Sequence, residues 1–193
     1  MEFKNSPDAI PSLVSAISHL EMCRLETINF QYCEIGDIMA HDFINALSAI
    51  PGLNKIVELL LGFNEIACFR CVALCTLFKN PECRIQDLDL TGNHLDAECM
   101  CSLISGFARN TTLKTLDLST QKLLRATGWQ LLMIFLSSHR CSLEWMDLVD
   151  QQFDDDCAAS LGDALAVNQI LTSLRLLPII ASHHQGGENS LMA

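Results

Sequence analysis

The sequence has few basic residues, few aromatic residues and no long apolar run, and these shortages exclude several classes of protein. Only 12 Lys and Arg stand against 23 Asp and Glu, a formal net charge of −11 that argues against nucleic-acid binding. The longest apolar stretches fall well short of the roughly 20 residues that a membrane-spanning helix requires, so no membrane contact is expected. The opening residues, MEFKNSPD, lack the apolar segment of a secretory signal. We therefore expect a cytoplasmic protein, with the nucleus as the alternative.

The chemical signatures of enzymes are also missing. The sequence contains no glycine-rich loop suited to phosphate and no evident pairing of a nucleophile with a base. Two carboxyl groups can act as a catalytic acid and base only when burial keeps one of them neutral. The acidic residues of the repeats are expected on an open, solvated face, where neither would be neutral. We therefore expect no enzymatic activity, no catalytic residue and no cofactor.

What the sequence does contain is one pattern, LxxLxLxxNxL, repeated at a nearly constant interval. Half of the residues are apolar and only 6% are aromatic, which suits a core built mainly from leucine. Five copies and a sixth, damaged copy begin at Leu25, Ile56, Ile85, Leu113, Leu143 and Leu171. Spacings of 28 to 31 residues predict a solenoid of stacked repeats.

Each repeat combines a strand periodicity with a helix periodicity. Apolar residues alternate over a short strand, and a turn and a helix with an apolar i, i+4 pair follow. The predicted first anchors of the helices are Phe43, Leu74, Leu103, Leu131 and Leu161, and the second anchors are Leu47, Phe78, Phe107, Phe135 and Leu165. The pattern predicts an α/β fold, a right-handed β/α solenoid arc with a parallel inner sheet and outer helices.

The period and the helix pattern resemble the ribonuclease-inhibitor-like class of leucine-rich repeats. Three segments carry this resemblance best: residues 85–95 (IQDLDLTGNHL), 109–118 (RNTTLKTLDL) and 164–176 (ALAVNQILTSLRL). The resemblance implies a leucine-rich-repeat horseshoe. The class includes nuclease inhibitors, sensor regions of immune receptors and Ran GTPase-activating proteins, so it specifies a fold far more closely than a function.

The chain departs from this class at the asparagine position of the repeat, and it loses the pattern near its end. The asparagine column reads Cys33, Asn64, Asn93, Gln121 and Gln151, so less regular turns are expected in the last two full repeats. We predict an N-terminal half-repeat helix in residues 1–20, leucine-rich repeats in 21–176 and an irregular tail in 177–193 that interrupts a sixth repeat. We interpret the chain as a piece of a longer protein or a truncated product.

The cysteines, an aspartate run and a sequon all have structural explanations within the repeat. Cys68, Cys71 and Cys75 share one helix face, so packing of reduced thiols is favoured over a zinc site, and no metal site is expected. Three consecutive aspartates, residues 154–156, suit the beginning of a helix better than a metal cluster. Asn110 opens a glycosylation sequon, yet Asn-x-Thr-Leu is the ordinary lead-in to a strand of this class.

The candidate functional residues lie on the strands, where alternate side chains face the concave surface. One column is Asn29, Leu60, Asp89, Asp117, Asp147 and Arg175, and its neighbour is Thr27, Glu58, Asp87, Thr115, Trp145 and Ser173. Successive members of a column would lie about 4.8 Å apart and form an acidic stripe. The predicted partner-binding residues are Glu58, Asp87, Asp89, Asp117, Trp145, Asp147 and Arg175. The alternative is that Leu-Asp-Leu is simply a common strand phrase of the class.

We expect a protein–protein interaction module that binds a basic protein partner through the concave face, with Trp145 as a hot spot. The resemblance to Ran GTPase-activating proteins implies a rival, a regulator of a small GTPase, although no residue carries over to that role. A third alternative is a sensor segment of an immune-type receptor. The oligomeric state does not follow from the sequence.

Overall fold

Strands and helices alternate at a regular interval along the chain. The computed structural model describes residues 25–35, 37–50, 53–151 and 153–176, together with positions 12 and 15. Within these ranges the strands are β1 (Thr27–Asn29), β2 (Glu58–Leu60), β3 (Asp87–Asp89), β4 (Thr115–Asp117), β5 (Trp145–Asp147) and β6 (Ser173–Arg175). The helices are α1 (Asp37–Ala49), α2 (Cys68–Lys79), α3 (Ala97–Phe107), α4 (Ala126–Leu136) and α5 (Asp155–Val167), and a 3-10 turn, Leu53–Lys55, precedes β2.

The six strands form one parallel sheet in sequence order, β1 to β6. Each strand pairs with its neighbour at the same position of the repeat, so Glu58 pairs with Asp87, and Asp89 pairs with Asp117. Consecutive helices pack against one another alongside the sheet. The α/β solenoid, its parallel sheet and the register of both predicted columns are therefore confirmed.

One apolar core runs through the repeats between the sheet and the helices. The middle residue of each of the first five strands is buried there: Ile28, Leu59, Leu88, Leu116 and Met146. Each large apolar side chain contributes roughly 1.5–3 kcal/mol when fully buried, so stability accumulates from stacking and not from any single repeat.

Two predicted helix anchors do not occupy the core as expected. Leu131 is only half-buried, because α4 turns Leu132 and Trp129 into the core. Leu165 is 38% exposed, because α5 packs against α4 on one side and against no later helix among the described residues. The other eight predicted anchors are buried.

Two helices begin at aspartate caps. The carboxylate of Asp96 accepts a 2.9 Å hydrogen bond from the backbone N–H of Cys99, and Asp154 accepts one of 2.8 Å from the backbone N–H of Cys157. The backbone hydrogen bond from Cys99 stabilises the charged form of Asp96 and lowers its pKa. The pKa of Asp154 is lowered by hydrogen bonds from the thiol and then the backbone N–H of Cys157. The prediction that the aspartates at 154–156 begin a helix is confirmed.

Eight cysteines fall within the described residues and are free thiols, and six of them are buried. Burial raises the pKa of the Cys157 thiol to about 11, whereas Cys101 is exposed. Among the described residues no group of three or more His, Cys, Asp or Glu could hold a metal ion. The side chain of Cys68 lies outside the described residues, so the choice between packing and zinc at that residue stays a prediction.

Asn110 is buried, and its Oδ1 accepts hydrogen bonds from the backbone N–H groups of Thr112 and Leu113. This confirms the sequon as a strand lead-in. No helix in the described part of the chain is long and apolar enough to cross a membrane. Apart from positions 12 and 15, the predicted N-terminal half-repeat helix lies outside the described residues, and so does the predicted tail after 176.

Candidate partner-binding surface

The seven sequence-predicted site residues all lie on the strands, on the sheet face opposite the apolar core. The register places Trp145 between Thr115 and Ser173, and Asp117 between Asp89 and Asp147. Most of these side chains are half-buried, since each is flanked by its counterparts on the neighbouring strands. The sheet therefore brings the predicted residues together in two adjacent columns, as the repeat period indicates.

Four members of one column share a structural task. The side chains of Asn29, Asp89, Asp117 and Asp147 each accept a hydrogen bond, through Oδ1, from the backbone N–H two residues later, at 3.0, 2.7, 2.8 and 2.9 Å respectively. This bond closes the turn that leaves each strand, which is a common use of Asp and Asn side chains. The Leu-Asp-Leu pattern is thus explained in large part by turn formation, as the alternative interpretation holds.

Asp147 requires a correction to the predicted acidic stripe. It is only 2% exposed, and its Oδ2 accepts a 2.7 Å hydrogen bond from Nη1 of Arg175. Burial hides this carboxylate from a partner, and the guanidinium neutralises it. The column is therefore not a continuous acidic surface, and Asp147 and Arg175 act mainly on one another.

The carboxylate of Asp89 is also largely occupied by hydrogen bonds within the chain. Its Oδ2 accepts a 2.5 Å hydrogen bond from Nε2 of Gln31, in addition to the turn bond through Oδ1. In the neighbouring column, Glu58 accepts a 2.8 Å hydrogen bond from the hydroxyl of Thr27, and Asp87 is half-exposed beside it. The accessible negative charge of the sheet is therefore centred on Glu58 and Asp87.

Trp145 is half-buried in the same column as Glu58 and Asp87, near the other end of the sheet. The position just before it carries an ion pair, with Nζ of Lys114 lying 2.7 Å from Oε1 of Glu144. Tryptophan is enriched among the residues that contribute most to the binding energy of protein interfaces.

The asparagine column forms a ladder under the adjoining loops. Oδ1 of Asn93 accepts hydrogen bonds from the backbone N–H groups of Asn64 and Ile66. Oε1 of Gln121 accepts one such bond, at 3.3 Å, and the buried Oε1 of Gln151 has no partner among the described residues. The expected loss of regularity in the last two full repeats is therefore seen in these side-chain hydrogen bonds and not in the φ of the turns, which is 59° at both Thr120 and Asp150. A surface groove lined by Lys122, Arg125, Asp150 and Asp154, among others, lies at these loops.

Sequence reasoning missed one feature of the loops, an exposed pair of stacked rings. The ring centroids of Tyr32 and Phe63 lie 4.4 Å apart with an interplanar angle of 8°. A signal was available, because both residues occupy the eighth position of their repeats, and Gly92 occupies it in the third. The periodicity of the strands alone does not indicate this loop column.

No protein-family model matches the chain. Among curated proteins it is 32% identical over 155 residues to mouse "NACHT, LRR and PYD domains-containing protein 9B", a match covering 80% of this chain and 15% of that protein. It is 31% identical over 166 residues to human "NACHT, LRR and PYD domains-containing protein 5", covering 86% of this chain and 14% of that protein. The chain thus spans about one seventh of these relatives, whose names state that they carry leucine-rich repeats.

Solved structures show the same fold at low sequence identity. "Leiomodin-1 Actin-Binding Site 2" superposes with a TM-score of 0.67 at 14% identity, covering 84% of this chain and 91% of that one. The C-terminal domain of Caenorhabditis elegans tropomodulin gives 0.64 at 14% identity, covering 83% and 93%. The similarity to leucine-rich-repeat proteins expected from the sequence is therefore supported by both sequence and fold.

Proposed function

We propose that the chain is a non-enzymatic protein-interaction module that binds a basic partner through the concave face of its parallel sheet. The observation that carries this proposal is the register of the strands, which aligns half-exposed side chains in columns across six repeats. This surface is supported from beneath, because the middle residues of β1 to β5 are buried in the core. The similarity to leucine-rich-repeat proteins supports the same general role.

The structure changes which residues we propose as contacts. Glu58, Asp87 and Trp145 are the proposed centre, with Asp117 beside them. Asp89 and Asp147 are proposed mainly as turn-forming residues, because their carboxylates already accept hydrogen bonds through both oxygens. The net charge of −11 supports a basic partner, since complementary charge accelerates encounter and favours the correct pairing.

A charge-reversal pair tests this proposal. Partners are captured on the purified chain, identified, and then titrated against the chain carrying Glu58→Lys with Asp87→Lys. We expect weaker binding and a shallower dependence on salt, because two attractive charges have become repulsive. The matched control is Glu98→Lys with Asp163→Lys, which reverses two exposed acidic residues on the helices. If the strand variant binds as tightly as the control, the concave face is not the binding surface.

We also infer a reducing compartment, the cytoplasm or the nucleus. The eight described cysteines are free thiols, and proteins that keep many reduced thiols suit such compartments. Imaging of a fluorescently tagged chain, compared with markers of the secretory pathway, tests this inference; co-localisation with the secretory markers would contradict it.

A further inference from the structure

The stacked pair of Tyr32 and Phe63, here called the rim aromatic pair, is exposed beside the concave face. Tyr32 is 70% exposed and Phe63 is 37% exposed. The backbone N–H of Tyr32 donates to the carbonyl of Gly62, and that of Phe63 donates to the carbonyl of Thr91, so both loops are held one repeat apart. The same backbone ladder continues at Gly92 and Thr120, so the repeat sets the spacing at which the two rings stack.

The conformation of these residues is unusual for aromatic side chains. Tyr32 has a φ of 56° and Phe63 a φ of 57°, in the left-handed region that bulky residues rarely adopt. The same conformation recurs at this position of the later repeats, in Gly92, Thr120 and Asp150, so it belongs to the repeat. A Cβ on Gly92 would lie 2.4 Å from the Phe63 ring. Phe63 is thus covered by Tyr32 on one side and lies over Gly92 on the other. The outer face of the Tyr32 ring remains open to solvent.

The core does not account for this arrangement, because neither ring belongs to it. Asparagine or glycine would adopt the left-handed conformation at a lower cost and would expose no apolar ring. Since the repeat itself sets the backbone conformation, what distinguishes the first two repeats is the exposed aromatic surface, and exposed apolar surface is typical of sites where a ligand or partner binds.

The surroundings of the pair are acidic. Glu34 and Glu65, each two residues after one of the rings, are both exposed. The carboxylate of Asp89 lies next to Gly62, within 3.1 Å of where a Cβ would stand. Loop residues 31–35, 61–67 and 91–96 contain no Lys or Arg, and the next loop in the series is the first to carry them, at Lys122 and Arg125. An aromatic face with carboxylates around it is complementary to a planar cation.

We propose that the rim aromatic pair and the neighbouring Glu34 bind an arginine-bearing segment of a partner protein. A guanidinium stacks on aromatic faces and can hydrogen-bond carboxylates in its own plane at the same time. The open face of Tyr32 would take the guanidinium, and Glu34 would supply its negative partner. This inference rests on the proposed function, since it specifies the chemistry of the protein partner at one edge of the concave face.

The chain offers a direct reporter, because Tyr32 is its only tyrosine. Protein labelled with ring-¹³C tyrosine is titrated by NMR with a peptide of alternating glycine and arginine, and in parallel with peptides that replace arginine by lysine or by neutral citrulline. We expect saturable movement of the Tyr32 signal with arginine, weaker binding of the lysine peptide and no saturable binding of the citrulline peptide. Equal binding of arginine and citrulline peptides, or an unmoved Tyr32 signal, would overturn the proposal.

Two substitutions separate the aromatic face from simple apolar contact. Phe63→Leu keeps an apolar side chain and the Tyr32 reporter but removes the ring on which Tyr32 stacks. Tyr32→Leu removes the proposed binding face itself, so its binding is measured by calorimetry. We expect affinity for the arginine peptide to fall about 3- to 30-fold in Tyr32→Leu, as for loss of a cation–π contact. The control is Ile134→Ala, an equally exposed apolar position on α4. Unchanged affinity in folded Tyr32→Leu, verified by circular dichroism, contradicts the proposal.

The two proposals fail separately. Suppose that Glu58→Lys with Asp87→Lys abolishes binding of a captured partner while the arginine peptide does not shift the NMR signal of Tyr32. Then the arginine proposal is wrong and the concave-face proposal stands. If the arginine peptide moves Tyr32 but no partner responds to the strand variant, the concave-face proposal is wrong and the loop edge is the binding surface.

Discussion

Asp147 accepts hydrogen bonds from two directions, from Nη1 of Arg175 one repeat later and from the backbone N–H of Val149 in its own turn. The carboxylate is 2% exposed, while the side chain of Arg175 is 58% exposed. The aspartate thus links the turn of one repeat to the last described strand. It contributes more to the stability of the fold than to binding.

Replacing this carboxylate should therefore destabilise the chain. Asp147→Ala is expected to lower the free energy of unfolding by about 1–3 kcal/mol, because the Val149 N–H loses its acceptor. Asp147→Asn, which keeps an acceptor for that N–H, should cost less. Urea denaturation followed by circular dichroism measures both. Equal stability of Asp147→Ala and the unmodified chain would show that the turn bond contributes nothing.

The asparagine ladder should be energetically uneven along the chain. Asn93→Ala is expected to destabilise by at least about 2 kcal/mol, since two buried backbone N–H groups lose their acceptor. Gln151→Ala should cost less, because its Oε1 has no partner to lose among the described residues. Thermal unfolding of the two variants at equal concentration compares them, and a larger loss for Gln151→Ala would contradict the ladder as described.

The N-cap of α3 should make stability depend on acid pH. The hydrogen bond from the backbone N–H of Cys99 lowers the pKa of Asp96 in the folded state, so its contribution is present above the ordinary value of 3.8 and is lost as pH falls through the lower folded pKa. Asp96→Ala should cost about 1 kcal/mol at neutral pH and less below about pH 3. Denaturant melts at pH 7 and pH 3 measure the difference. A constant cost at both values would exclude a charged cap.

Two helical glycines should respond oppositely to the same substitution. A Cβ on Gly106 of α3 would lie 3.0 Å from Cα of Cys75, so Gly106→Ala is expected to force α2 and α3 apart and cost about 1–3 kcal/mol. Gly162 of α5 has no atom within 4 Å of that position, and Gly162→Ala should stabilise by up to about 1 kcal/mol through helix propensity. Differential scanning calorimetry distinguishes the signs; a stabilising Gly106→Ala would refute the close helix contact.

The alternative role as a small-GTPase regulator stays a prediction. The names of the two mammalian relatives mention leucine-rich repeats and that of the leiomodin-1 structure mentions actin binding, whereas none of them mentions a GTPase. Single-turnover GTP hydrolysis by a Ran-type GTPase, with and without the chain, would decide between the two roles.

Sequence periodicity alone was enough to predict the α/β solenoid, the parallel sheet and both strand columns. The reason is that a repeat encodes its strand and helix locally, and a constant interval places equivalent residues side by side. For the same reason the sequence alone predicts the pairing of Thr27 with Glu58, which the sheet contains. The binding roles of the seven strand residues stay predictions.

Only the tertiary structure decided which side chains of a column are accessible to a partner. Asp89, Asp117 and Asp147 look equivalent in the sequence, but exposure and pairing depend on side chains one repeat away, such as Gln31 and Arg175. The rim aromatic pair depends in the same way on Gly92, whose missing Cβ leaves room for a ring from the previous repeat. Periodicity determines where a residue lies in the repeat, whereas contacts between neighbouring repeats determine whether its side chain remains free to bind.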